Sequence, residues 1–136
     1  MNKKLKKENS NTQAVSLEVL KKYSEAFNQN NIELVMECFD KNAVFDNASG
    51  SEIFGKRYKG HKSLRAVFEN LFKNVESVNW ETIDERISGN KAYCEYRRRA
   101  RFKNGDVQDF NSIDILSFNN GLIVHKDTYY KNRISW

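Results

Sequence analysis

The sequence predicts an α+β domain in which three helices pack on a curved antiparallel β-sheet. In the first half of the chain, apolar residues recur with the spacing of amphipathic helices. Beyond Glu76 they alternate every second residue, as in strands that are buried on one face. Helices followed by strands with tight turns are typical of α+β rather than of parallel α/β folds. A length of 136 residues suits one domain with one core.

Three segments have helical spacing, namely 14–28, 32–39 and 64–75. Residues 44–46 predict a short strand, and residues 47–60, which contain three glycines, predict an exposed loop. Four alternating segments then predict strands at 78–82, 91–103, 107–118 and 122–131, separated by turns at 88–90, 103–106 and 119–121.

The basic charge of the chain is concentrated at its start. The formal net charge is +5, and four lysines against one glutamate give residues 1–13 a charge of +3. We expect residues 1–13 to be a disordered basic tail and residues 14–136 to form the domain. The +2 that remains is weak support for nucleic-acid binding. No apolar run suits a secretory signal or a membrane span, so we expect a cytoplasmic protein without nucleic-acid or membrane partners.

The cysteines and histidines do not form a cluster with metal-ligand spacing. Cys38 and Cys94 fall in a predicted helix and a predicted strand, and His61 and His125 lie far from both in sequence. We expect reduced, buried thiols, no metal and no cofactor.

Alternation divides the arginine-rich segment 91–103 between two faces. Arg98 is expected to face the core together with Cys94 and Tyr96, whereas Arg97 and Arg99 face outward. The outer arginines suit salt bridges or the rim of a dimer better than nucleic acid, because few exposed aromatic residues accompany them.

Four segments carry a family resemblance that extends from Val15 to Asn132, namely VLKKYSEAFNQNN, AVFDNASGSEIFG, GHKSLRAVFENLF and SIDILSFNNGLIV. They resemble the nuclear transport factor 2-like superfamily, which includes ketosteroid isomerases and SnoaL-like polyketide cyclases. The resemblance implies a cone-shaped fold with an interior pocket for a small molecule. As in many relatives, it also implies a homodimer formed through the sheet.

The resemblance to ketosteroid isomerase implies specific roles for three residues. In that enzyme a tyrosine and a protonated aspartic acid donate hydrogen bonds to an enolate oxygen, and a second aspartate moves the proton. Tyr23 and Asp114 match the two donors, and Asp46 matches the base. The implied activity is isomerisation, cyclisation or dehydration of a small carbonyl compound.

The chain departs from the isomerase pattern at three positions. Phe68 stands where isomerases have a supporting tyrosine, and Asn47 replaces the proline that follows the base. Arg98 is expected to face the same interior as Asp114. A guanidinium within about 4–6 Å would keep that carboxyl ionised and so prevent it from donating a proton.

The residues themselves leave other interpretations open. Tyr23 fits a core tyrosine, and Asp46 fits the cap of a turn as well as a base. Asp114 lies between two isoleucines and needs a partner, for which Arg98 is the favoured choice. Besides these residues, the expected pocket residues are Arg98, Trp80, Phe102, Phe118 and Tyr130.

The last strand leaves one question of register open. Lys126 and Asp127 fit a surface pair. If Lys126, Thr128 and Tyr130 instead face inward, His125 faces away from the pocket.

Three functions are therefore compatible with the sequence. The first is an acid–base enzyme that uses Asp46, Tyr23 and Asp114. The second is a non-catalytic domain that binds an anionic metabolite through Arg98. The third is a protein-interaction module that uses the outer face of its sheet.

Overall fold

The computed structural model describes residues 15–134, which form three helices and six strands. In chain order these are α1 (Leu17–Asn28), α2 (Ile32–Glu37), β1 (Phe39–Glu52), β2 (Gly55–Lys59), α3 (His61–Asn74), β3 (Val75–Ser88), β4 (Lys91–Phe102), β5 (Val107–Asn119) and β6 (Leu122–Tyr130). The predicted fold class is confirmed. The predicted tail, residues 1–13, lies outside the described residues.

The first two helices begin at polar caps. The side chain of Ser16 accepts a hydrogen bond from the backbone N–H of Val19, and Asn31 caps α2 in the same way. The buried face of α1 carries Leu20, Tyr23, Ala26 and Phe27, as its spacing predicts. This face places the Tyr23 hydroxyl against the sheet.

The strands form one six-stranded sheet in the order β2-β1-β6-β5-β4-β3. Neighbouring strands are antiparallel except β1 and β6, which are parallel. In that parallel pair Phe45 lies opposite Lys126, and Asp46 lies opposite Asp127. The first and last strands are therefore neighbours in the sheet, although almost the whole chain separates them.

The predicted loop at residues 47–60 is wrong. β1 continues to Glu52 and pairs with β2 as a hairpin. The glycines permit close contact between these two strands, since a Cβ atom on Gly55 would lie 1.8 Å from the carbonyl oxygen of Asn47. Gly55 also has a φ of +82°, which favours glycine.

The alternation predicted for β4 is confirmed. Ala92, Cys94, Tyr96 and Ala100 are buried. On the outer face Arg97 forms an ion pair with Asp109 at 2.7 Å, and Arg99 forms one with Glu81 at 3.2 Å. Both cysteines are free and buried, as expected. Within residues 15–134, none of the helices has the length and apolarity needed to cross a bilayer.

The main core lies between the helices and the inner face of the sheet. Its fully buried side chains include Leu20 from α1, Val35 from α2, Leu64 from α3, and Leu116 and Ile123 from β5 and β6. Burial of each such side chain contributes about 1.5–3 kcal/mol. The core thus joins all three helices to the centre of the sheet.

Two leucines of α1 test this assignment. We expect Leu20→Ala to lower the free energy of unfolding by about 2–5 kcal/mol, because Leu20 is 0% exposed and its loss leaves a cavity. Leu17→Ala is the control: Leu17 is 64% exposed, so its replacement should change stability by about 0.5 kcal/mol or less. Urea unfolding measures both. Similar losses for the two variants would contradict the packing described.

Candidate functional site

A cavity of about 750 Å³ lies between the helices and the inner face of the sheet. This volume falls within the range of small-molecule sites, about 300–1,000 Å³. Its rings come from every layer of the fold, namely Phe27, Phe45, Tyr58, Phe68, Trp80, Phe102, Phe110 and Tyr130. Polar side chains, among them Arg98, Gln108, Ser112, Lys126 and Thr128, share the lining with these rings, so the space suits an organic ligand that combines an aromatic body with polar groups.

Asp114, on the inner face of β5, is the centre of a buried hydrogen-bond network. Its Oδ2 accepts from the Tyr23 hydroxyl at 2.9 Å and from Lys126 Nζ at 2.7 Å. Its Oδ1 accepts from the Tyr96 hydroxyl at 2.9 Å and from Thr128 Oγ1 at 2.7 Å. A carboxylate has about four lone-pair sites, so these four donors saturate Asp114.

The sheet register explains why these donors converge on one carboxylate. Thr128 lies directly opposite Asp114, and Lys126 lies two residues before Thr128 on the same face of β6. Asp114 is 2% exposed and Lys126 is 6% exposed, so neither charge could remain buried without the other. Burial, and after it the charge of Asp114, raises the pKa of Tyr23 and Tyr96 well above the usual range. Both tyrosines are therefore neutral donors.

Asp114 does not border the large cavity directly. Asp114 and Tyr23 border a separate cavity of about 30 Å³ behind the network. Tyr96 and Lys126 border both cavities, and Thr128 borders the large one. Asp114 therefore acts on a ligand in the large cavity only through the side chains that it orients.

Arg98 lies in the large cavity and is bound by a neutral side chain. Its Nη1 donates a hydrogen bond to Oε1 of Gln108, and its guanidinium lies 5.7 Å from the ring centre of Trp80 and 5.6 Å from that of Phe110. Burial lowers the pKa of Arg98. Among the described residues no carboxylate forms an ion pair with this side chain, although five other arginines have such pairs.

The favoured pairing of Asp114 with Arg98 is thus replaced by pairing with Lys126. Cys94 is the residue of β4 opposite Asp114. Arg98 lies four residues further along β4, which is about 13 Å of strand. The Arg98 side chain donates a hydrogen bond to Gln108. Gln108 lies opposite Ala100, which is even further along β4 from the position of Asp114. The backbone of Lys126, on the adjoining strand β6, lies nearer to the Asp114 carboxylate than that of Arg98 does.

Asp46 points to the opposite face of the sheet. Phe45 and Asn47 border the cavity, so the side chain between them faces outward. There Asp46 accepts hydrogen bonds from Arg57 Nε at 2.7 Å and Nη2 at 2.9 Å, and lies 2.7 Å from His125 Nε2. The bonds from Arg57, helped by His125, hold the pKa of Asp46 below its usual value. The structure brings Tyr23 together with Asp114 but does not bring Asp46 to them.

The outer-face residues Asp46, His125 and Asp127 offer ligand atoms that lie within 4.8 Å of one another. Such residue types can ligate transition metals. Here Arg57 already donates to both carboxylate oxygens of Asp46. A metal at this cluster would therefore compete with Arg57 for the oxygens of Asp46.

Of the remaining expected pocket residues, Trp80, Phe102 and Tyr130 border the large cavity. Phe118 does not; it is 1% exposed and belongs to the packed core.

Of the two directions left open for Lys126, the structure has it facing inward, so the interpretation as a surface pair with Asp127 is wrong and Lys126 is an additional site residue. The inward alternation of Lys126, Thr128 and Tyr130 was the available signal, together with the need of Asp114 for a buried cation.

Comparison with solved structures identifies the fold. A nuclear transport factor 2-like protein of unknown function from Burkholderia pseudomallei is 16% identical, with a TM-score of 0.75 over 85% of this chain and 89% of that one. A candidate polyketide cyclase from Xanthomonas campestris is 15% identical, with a TM-score of 0.74 over 85% and 89%. A protein with a ketosteroid isomerase-like fold from Catenulispora acidiphila, solved with trimethylamine, is 14% identical, with a TM-score of 0.73 over 86% and 88%.

Sequence comparison assigns the chain to a family within this fold. The model of the SnoaL-like domain family matches residues 20–126, so the chain belongs to the SnoaL-like domain family. The expected superfamily is thereby confirmed. A search of curated proteins gives no significant match. Since the structural relatives are less than 25% identical, they establish the fold and leave the activity to be argued from the site.

The saturated carboxylate gives a stability prediction. Asp114→Asn replaces an acceptor oxygen by an amide NH₂, which cannot accept from the donors that face it. It also leaves Lys126 as a buried charge without an anion, so we expect a loss of about 3–5 kcal/mol in urea unfolding. Asp127→Asn, on the outer face of β6, is the control and should cost much less. Equal losses would show that the Asp114 network is not the stabilising contact.

The outer ion pair gives a prediction about acid stability. Because Arg57 lowers the folded-state pKa of Asp46, the pair stabilises the fold fully above pH ~4, the ordinary pKa of aspartate. That contribution is lost as the pH falls through the lower folded-state pKa.

We therefore expect Arg57→Gln to be less stable than the wild type at neutral pH, with the difference shrinking below pH ~4. Urea unfolding at a series of pH values measures this, and Arg86→Gln, in the exposed pair with Asp84, is the control. A difference that stays constant down to strong acid would contradict the assignment.

Proposed function

We propose that this SnoaL-like domain binds a small organic anion with an apolar body, and that Arg98 holds the anionic group. The observation that carries the proposal is the unpaired guanidinium of Arg98 in a cavity of about 750 Å³. A cation that has lost part of its hydration and has no protein counterion favours an anionic ligand.

The form of Arg98 suits a carboxylate in particular. A guanidinium presents a planar set of N–H donors that matches the two oxygens of a carboxylate. The guanidinium carbon lies over the rings of Trp80 and Phe110, and Gln108 accepts a hydrogen bond from one nitrogen. The remaining donors are available to a ligand.

The charge balance of the cavity supports the same conclusion. The charge of Lys126 is matched by Asp114 behind the network. The acid that lines the large cavity, Asp106, is exposed, accepts a hydrogen bond from Asn104 and forms no ion pair with Arg98. Among residues 15–134, no carboxylate lies within ion-pair distance of Arg98, and the aromatic part of the lining suits the apolar body of the ligand.

The acid–base chemistry implied by the isomerase resemblance has less support in this geometry. Asp46, the expected base, faces away from the cavity and is bound by Arg57 and His125. Asp114, the expected proton-holding donor, accepts four hydrogen bonds, one of them from the ammonium of Lys126. Isomerisation, cyclisation or dehydration by these residues would need a different arrangement of their side chains.

The proposal is tested with benzoate, 2-naphthoate and biphenyl-4-carboxylate, each compared with its neutral amide, by isothermal titration calorimetry. We expect binding of at least one carboxylate, and binding of its amide that is weaker by tenfold or more, since a hydrogen bond to a charged group contributes about 1.5–3 kcal/mol. Arg98→Gln should remove this preference. Arg101→Gln, on the outer face of the same strand, is the matched control and should retain it.

Equal binding of acids and amides, or carboxylate binding that survives in Arg98→Gln, would overturn the proposal. The enzymatic alternative predicts a different result. Exchange of α-protons of generic ketones into deuterated buffer, present in the wild type and lost in Asp46→Asn, would favour an isomerase. On our proposal neither protein catalyses this exchange.

A further inference from the structure

We infer that the anionic ligand carries a hydroxyl group at the end remote from Arg98, and that the inner hydrogen-bonding surface of the cavity recognises it. This inference rests on the proposed function and specifies the ligand further. It is carried by the direction of hydrogen bonds around Asp114 and Ser112. We call the hydroxyl oxygens of Tyr96, Ser112 and Thr128, which border the large cavity, the acceptor pole.

Each hydroxyl of the acceptor pole already donates its hydrogen to another atom of the protein. Tyr96 and Thr128 donate to Oδ1 of Asp114 at 2.9 and 2.7 Å, and Ser112 donates to the carbonyl oxygen of Tyr129 at 2.7 Å. A hydroxyl has one hydrogen and two lone pairs. The three oxygens can therefore offer only lone pairs to a ligand, which must supply a donor.

Lys126 adds one donor beside these acceptors. Its ammonium has three N–H groups, of which one goes to Asp114 and one to the Tyr23 hydroxyl at 2.6 Å. Lys126 also borders the large cavity. The third N–H can donate to a ligand atom that also donates to the acceptor pole.

A hydroxyl satisfies both requirements through a single oxygen atom. An alcohol or phenol oxygen donates its hydrogen and accepts from Lys126. A carbonyl or ether oxygen can accept from Lys126 but leaves the acceptor pole without a donor. A ligand ammonium would donate, but it would lie beside the positive charge of Lys126. The same reasoning disfavours an enolate at this place, because an oxyanion needs several donors.

The register of the sheet sets the distance between the two ends of the ligand. The inward-facing pair at the Arg98 end consists of Arg98 and Phe110 on β4 and β5. Two residues along the strands, the next inward-facing pair consists of Tyr96 and Ser112. Two residues further along β5 is Asp114, which lies opposite Thr128 on β6. The acceptor pole thus begins about 7 Å and ends about 13 Å along the strands from Arg98. A rigid aromatic hydroxy acid of two rings suits this separation.

The test uses three probes that share one scaffold: 4'-hydroxybiphenyl-4-carboxylate, its 4'-methoxy ether and the unsubstituted biphenyl-4-carboxylate. Isothermal titration of the wild-type protein should show about tenfold tighter binding of the hydroxy acid than of either other probe. Because this comparison changes only the ligand, it does not depend on whether a variant folds.

Two variants then locate the contact. Thr128→Val and Ser112→Ala remove one acceptor each and should reduce the hydroxyl preference, taken as the ratio of the affinities for the hydroxy acid and the unsubstituted acid in the same variant, severalfold. Ser117→Ala, on the outer face of β5 opposite His125, is the matched control and should retain the full preference. A preference unchanged in both Thr128→Val and Ser112→Ala would overturn the assignment of the acceptor pole.

The outcomes separate this inference from the function on which it rests. Equal affinities of the three probes, with binding still dependent on Arg98, would overturn the inference and leave the anion-binding function in place. Equal binding of the hydroxy and methoxy probes would show apolar contact instead of donation and would also overturn it. If none of the three probes binds, the inference fails, and the carboxylate series described above decides whether anion binding fails with it.

Discussion

The ion pair between Asp114 and Lys126 is the interaction on which the interior of this protein depends. It joins the penultimate strand to the last strand under a helix that supplies Tyr23 as a further partner. A buried charge is tolerated only when it is paired and hydrogen-bonded, and here one carboxylate receives four donors. Because the carboxylate takes these hydrogens, it determines which way the surrounding hydroxyls point. The inner end of the cavity therefore offers lone pairs to a ligand.

The second constraint is that, within the part of the chain that the structure describes, Arg98 lies at the cavity without a carboxylate in ion-pair distance. Lys126 and Arg98 both border the cavity, but only Lys126 has an acid within ion-pair distance. The four residues from Cys94, opposite Asp114, to Arg98 keep the guanidinium far from that acid. The cavity consequently has two chemically different regions, and aromatic rings such as Phe110 and Tyr130 form part of its wall. Such an arrangement suits an elongated anion better than a compact carbonyl compound.

Alternation along β1 separates Asp46 from the buried network of Asp114, because its neighbours Phe45 and Asn47 face the cavity. The segment around Asp46 resembles the base-containing strand of ketosteroid isomerases, but this side chain faces outward and is held by Arg57 and His125. Arg57 comes from β2, which sequence analysis took for a loop because glycines at close strand contacts resemble those of flexible turns. A family resemblance thus located the fold correctly while the roles of individual carboxylates remained to be decided by packing.

The sequence by itself determined the fold class, the three helices, most of the strands and the inward direction of Arg98, because these follow from hydrophobic period and from the alternation of a pleated strand. Only the tertiary structure decided which charges meet. Lys126 and Asp114 are 12 residues apart and Tyr23 and Asp114 are 91 apart, so their contacts depend on strand register and on how a helix docks. Local periodicity carries no information about either. Periodicity shows which face of its element a side chain occupies. The partner of that side chain depends on which strand or helix packs beside the element.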